Sequence, residues 1–196
     1  MSKAAHIDWW RRSLPRSWNI AVALLVAVFA ALVFTHAGVS HVYLKYFGAK
    51  SPRIAVDYAG LSNDMDEKAA LAHFAPLALR CMDEPKEINR LGDRVCHAAL
   101  DAADEVPALT LALFFDSGKL AHATIHVPWW AHHRLAKTLV EKLGAPEALN
   151  LAPVAGNRLI QWRVKGGVVV FNRDPGWDPL DWSAVYWQPQ PPGRRP

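Results

Sequence analysis

Residues 108–127 read ALTLALFFDSGKLAHATIHV, two alternating runs around a polar turn. Leu109, Leu111, Leu113 and Phe115 fall on one face at a period of two, as a half-buried strand requires. Asp116-Ser117-Gly118-Lys119 is a turn signal. The chain then returns with Ala121, Ala123, Ile125 and Val127 on one face and His122, Thr124 and His126 on the other. These features predict an antiparallel hairpin with one face in a core, ending at Pro128.

Downstream, Trp130 to Leu143 predicts a helix, with Leu135, Leu139 and Leu143 four residues apart and Gly144 as its stop. Leu159–Val164 predicts a strand carrying Ile160, Trp162 and Val164 on one face. Lys165-Gly166-Gly167 turns it into Val168–Phe171, whose unbroken apolar run suits a strand covered on both sides. Asp174-Pro175-Gly176 is a tight turn before a last strand, Ser183–Trp187. Upstream, Arg94–Leu100 is a further strand, and Ile54-Ala55-Val56 is a short β-prone piece in the connector Ser51–Gly60. Asp64 and Glu67 have the spacing of a capping box for a helix that Pro76 ends or kinks. Pro85 and Gly92 bracket a second short helix, Glu84–Leu91.

The N-terminus differs in kind. Ile20–Phe34 is IAVALLVAVFAALVF, and its apolar character extends from Trp18 to Val39 with few interruptions. A bilayer crossing needs about 20 such residues in a helix. Trp9, Trp10 and Trp18 on one flank, and Tyr43, Tyr46 and Phe47 on the other, suit the two interfaces. A cleaved signal peptide is the competing reading, but Thr35-His36-Ala37 matches a cleavage site poorly. Arg11, Arg12 and Arg16 face only Lys45 over comparable distance, which keeps the N-terminus in the cytoplasm and exports the rest.

The fold class expected is therefore α+β. One N-terminal transmembrane helix precedes a single small domain of short helices packed on an antiparallel β meander, in the order β-β-β-α-β-β-β after residue 93. The expected organisation is a cytoplasmic tail at 1–17, a signal anchor at 18–39 and a juxtamembrane connector at 40–60. An exported domain then occupies 61–188, and a disordered Pro-rich tail occupies 189–196.

Charge and composition exclude several classes. The 196 residues are 52% hydrophobic and 20% charged, with a formal net charge of +4. Residues 1–50 hold +5 of it and Arg194 and Arg195 another +2, so residues 51–188 carry −3. A mildly acidic globular part without a basic stripe argues against nucleic acid as a partner. No nucleophile elbow, P-loop, H-E-x-x-H or dinucleotide fingerprint occurs, and neither a cofactor nor a metal is expected.

Cys81 and Cys96 are the only cysteines. A disulfide between them closes a loop of about 16 residues, worth roughly 3 kcal/mol in the chain-entropy model. An exported compartment permits that bond. A Cys96–His97 nucleophile and base is disfavoured, because neighbours on a strand point to opposite faces. His122 and His126 stand about 13 Å apart by strand rise, too far for one metal.

Two aromatic segments are the candidate ligand sites. Trp129, Trp130, His132, His133 and Arg134 lie where a strand enters a helix, where free backbone donors can receive an anion. Trp177, Asp178 and Trp182 lie in a Pro/Asp loop, where indole faces and carboxylates suit sugar rings. Packing of these indoles on the sheet is the plainer expectation. The function expected is a single-pass protein of the bacterial inner membrane. Its periplasmic, non-catalytic domain binds or supports another envelope component, a protein or a polysaccharide. The alternative is an envelope polysaccharide-binding or glycan-processing domain using the Trp-rich loops.

Overall fold

A computed structural model describes residues 16–35, 46–48, 50–85, 90–149, 159–176 and 182–190. The chain divides into two units, Met1–Ser40 and His41–Pro196.

In the first unit, α1 spans Arg16–Thr35. The expectation of a transmembrane helix over 18–39 is corrected here. Among the described residues, no helix is long and apolar enough to cross a membrane. The side chains described on α1 run from 17 to 32 and open with Ser17, Trp18 and Asn19. The unbroken apolar stretch of the helix, Ile20–Phe34, is shorter than the about 20 residues that a crossing needs. Residues 36–39 lie outside the described residues, as do 1–15.

The second unit is built on the hairpin anticipated at 108–127. Its strands are β1 (Arg53–Ile54), β2 (Arg80–Asp83), β3 (Arg94–Ala99), β4 (Ala102–Ala103), β5 (Val106–Pro107), β6 (Thr110–Asp116) and β7 (Lys119–Pro128). After helix α3 (His132–Leu143) come β8 (Glu147–Leu149), β9 (Leu159–Val164), β10 (Gly167–Asn172) and β11 (Trp182–Gln188). A shorter helix, α2, covers Glu67–His73. Eight strands form one antiparallel sheet in the order β2-β3-β6-β7-β11-β10-β9-β8, and β1-β4-β5 form a small second sheet. The expected β-β-β-α-β-β-β order is thus corrected by β4, β5 and β8. The sheet is also not one continuous meander: β7 pairs with β11, joining two meanders through strands far apart in sequence.

Register explains the core. Ala98, Leu111, Ile125, Val185, Phe171 and Ile160 stand opposite one another across successive strands. Cys96, Leu113, Ala123, Trp187, Val169 and Trp162 form the next row. All but Ile160 are buried, and Ile160 packs against the same cluster. Ala131, Leu135 and Leu139 of the α3 region, Ala70 of α2 and Phe74 just after it join that core. A bulge after Phe114 shifts the register, which carries Leu120 into the core. Trp162 donates its indole N–H to the Gly144 carbonyl at 2.8 Å, tying β9 to the end of α3.

Several local expectations move. The cap of α2 is Asp66, whose carboxylate accepts from Ala69 N at 2.7 Å. Glu67 does not reach back as a capping box would; its carboxylate takes Arg94 at 2.6 Å. The helix expected over Glu84–Leu91 is non-helical at its described ends, and residues 86–89 lie outside the described residues. Gly92 is needed not as a helix stop but for close approach. A Cβ there would sit 2.2 Å from the Phe115 carbonyl oxygen, which accepts from Asp93 N. Gly166 is a second such position, since a Cβ would collide with the Leu61 carbonyl at 1.7 Å. Residues 191–196 of the Pro-rich tail lie outside the described residues, as do 40–45 and 49 of the juxtamembrane connector.

Candidate functional site

The two aromatic segments meet because β7 and β11 are neighbours. Pro128, the last residue of β7, stands opposite Trp182, the first of β11. After Pro128 the chain makes a 3-10 turn at Trp129–Ala131 and enters α3. Trp129 is half-buried and donates its indole N–H to the Gly176 carbonyl at 2.7 Å. That bond fastens one candidate segment to the turn that starts the other. Trp182 is also half-buried and makes an edge-to-face contact with His126 at 5.6 Å. Trp177 and Asp178 lie outside the described residues.

The meeting is used mostly for packing. His132, a candidate for ligand contact, is fully buried. Its ring stacks on Phe171 at 4.6 Å. Nε2 lies 3.3 Å from the Arg173 carbonyl, which can only accept, so Nε2 carries the proton. Nδ1 then accepts from the Ser183 hydroxyl at 2.7 Å. Burial lowers the His132 pKa, against the Arg173 carbonyl and Asp174, which raise it; neighbouring His133 lowers it further. The ring is thus a neutral bridge between α3, β11 and the end of β10. The signal for this lay in the sequence: His132, Leu135 and Leu139 share one helical stripe.

Three candidates face outward. Trp130 is 50% exposed and stacks on Phe47 at 6.1 Å, while His133 and Arg134 are exposed. No side chain caps the start of α3. Arg134 lines a cleft of about 260 Å³ with Tyr46, Arg53, Asp101 and Glu105. In that cleft Arg53 pairs with Glu105 at 2.6 Å, and the Tyr46 hydroxyl donates to the Asp101 carbonyl. Burial, then the charge of Asp101, raises the Tyr46 pKa, partly offset by Arg53.

The cysteines form the disulfide Cys81–Cys96, directly opposite each other in the β2·β3 register. Cys96 faces the core, and His97 takes the other face, as expected. The ligand atoms of Glu67, Cys81 and Cys96 lie within 4.8 Å of one another. Their chemistry does not suit a metal: both sulfurs are spent in the disulfide, and Glu67 is held by Arg94. His122 and His126 share the face opposite the core. Burial lowers the His122 pKa, and His126 Nδ1 lies 3.0 Å from the Thr110 hydroxyl.

One cluster escaped the sequence reading. Arg80 and His97 are register partners on β2 and β3, and with Lys50 they line a cleft of about 240 Å³. No local motif marks it, because Lys50, Arg80 and His97 converge only through strand pairing. No family model, curated protein or solved structure matches the chain.

Proposed function

We propose that the sheet-bearing unit is a non-catalytic domain, exported to the bacterial periplasm, that binds or supports another envelope component. The observation that carries this reading is the Cys81–Cys96 disulfide. Such bonds persist in oxidising compartments and are rare in the reducing cytosol. The bond closes β2 onto β3 at the edge of an eight-stranded sheet, a rigid frame suited to presenting a surface. The test is a reporter active only outside the cytoplasm, fused after Gln190. Activity of that fusion, with specific co-purification of envelope chains in mild detergent, is expected. An inactive export reporter beside an active cytoplasmic one rejects the reading.

A second reading, recognition of an envelope polysaccharide, has one observation in its favour. The Trp129–Gly176 bond brings the two Trp-rich segments together, with Trp130 half-exposed beside them. Against it, the Trp129 N–H and the His132 ring are already occupied within the fold. Co-sedimentation with purified peptidoglycan separates the readings. Retention lost in Trp130→Ala and Trp177→Ala, with the fold intact, favours the polysaccharide; no retention of the unsubstituted chain removes it.

A further inference from the structure

We propose that the cleft between β2, β3 and the segment leading to β1 is a binding site for a small anionic group of the phosphate class. Arg80 and His97 stand side by side as a cross-strand pair, on the face opposite the core. Lys50 closes the cleft from the connector. The group of three therefore comes from three separate stretches of chain brought to one opening.

The charge pattern around the cleft carries the inference. Several cations of the unit have carboxylate partners: Arg94 with Glu67 and Asp83, Arg53 with Glu105, Lys142 with Asp104, and Arg163 with Glu147, while Lys68, Arg134, Lys165 and Arg173 have none among the described residues. Lys50 and Arg80 have no ion pair or side-chain hydrogen bond among the described residues. No carboxylate lines this cleft. The Asp101 carboxylate accepts from Ser51 N at 2.8 Å, and the residue lines the neighbouring cleft instead. An anion entering meets a planar guanidinium fork, an ammonium and an imidazole donor, with no acid to compete. Charge-assisted bonds of this kind are about twice as strong as neutral ones, and guanidinium matches phosphate in bidentate geometry.

Size narrows the ligand. The volume of about 240 Å³ is several times the roughly 30 Å³ share of one water. It falls below the roughly 300–1,000 Å³ of sites that enclose a drug-sized molecule. A free phosphate fits that range, and so does the phosphodiester headgroup of a lipid whose remainder lies outside. The site rests on charge and shape alone, so it stands or falls separately from the compartment proposed above.

The experiment uses the full chain in a neutral detergent, titrated with inorganic phosphate by calorimetry. A parallel arm uses vesicles of phosphatidylglycerol against vesicles of phosphatidylcholine. Variants Lys50→Ala and Arg80→Ala remove exposed side chains that hold nothing else, and circular dichroism checks their fold. Lys137→Ala, on the exposed face of α3, is the control for diffuse charge. Saturable phosphate binding weakened at least tenfold by Lys50→Ala and Arg80→Ala but not by Lys137→Ala identifies a free phosphate. Preference for phosphatidylglycerol lost in the same two variants, without phosphate saturation, identifies a headgroup. Binding in neither arm, or equal weakening by all three variants, overturns the site.

Discussion

Trp162 offers the sharpest perturbation of the fold. It is 2% exposed, stands opposite Val169 in the row that includes Trp187, and bonds the carbonyl that follows α3. Trp162→Ala removes a buried aromatic and leaves a cavity, a loss of about 3–5 kcal/mol. Trp162→Phe keeps most of the ring but removes the N–H to Gly144. Gly144 is exposed, so water can replace that donor, and the loss falls to about 1–2 kcal/mol. Trp130→Ala, at a half-exposed site, is expected to change stability by about 1 kcal/mol or less. Urea unfolding of the full chain in mild detergent, followed by near-UV circular dichroism, measures all three. The largest loss is expected for Trp162→Ala, a smaller one for Trp162→Phe and the smallest for Trp130→Ala. Equal losses for the two Trp162 variants, or a larger loss at Trp130 than at Trp162, would overturn the placement of the core.

Two further outcomes follow from local geometry. His132 is buried with a pKa lowered chiefly by burial. The unfolded chain therefore binds more protons there, and the stability contributed is complete above the unfolded value of about 6.5 and declines as pH falls below it. Urea midpoints between pH 7.5 and 5.5 are expected to fall, and to fall less in His132→Gln; an unchanged slope in that variant counts against the buried neutral ring. In the β4–β5 turn, Asp104 and Glu105 both have positive φ, of 50° and 62°. Glu105 contributes only an exposed pair to Arg53, whereas the Asp104 carboxylate accepts from Val56 N and Lys142. Glu105→Gly relieves backbone strain and is expected to keep or raise stability by about 1 kcal/mol, while Asp104→Gly lowers it by about 1–3 kcal/mol. Thermal melts showing the reverse order would contradict this division of roles.

The parts of the fold legible in the sequence are those where one residue's neighbours along the chain determine its burial. Leu111, Leu113 and Phe115 alternate because β6 has one face on the core, and Asp116–Lys119 turns the hairpin as its composition implies. Trp162 reads as core for the same reason. The edge strand β2 is illegible because only one of its sides is paired, and Arg80, Met82 and Asp83 stay exposed. β4 and β5, at two residues each, are too short to carry a period. Asp66 rather than Asp64 caps α2, and Glu67 is drawn to Arg94, a partner 27 positions away. The N-terminal apolar run reads as a crossing because the interrupted residues around it are counted with it, whereas the unbroken apolar stretch of α1, Ile20–Phe34, falls short of one. Of the candidate site, adjacency of the two aromatic segments follows from the β7·β11 pairing, which no local pattern announces. His132 reads as a ligand contact beside its neighbour His133, but as core beside Leu135 and Leu139 on its own stripe. The Lys50, Arg80 and His97 cleft depends wholly on register.

An exported, disulfide-locked domain is tested most directly by the redox state of Cys81 and Cys96 in growing cells. Cells are quenched in acid, and the denatured chain is alkylated before and after reduction, then weighed by mass spectrometry. No alkyl group before reduction, and one on each cysteine after it, is the expected outcome. Two alkyl groups before reduction, in a chain that is otherwise folded, would rule out both the bond in the living cell and the export that it implies.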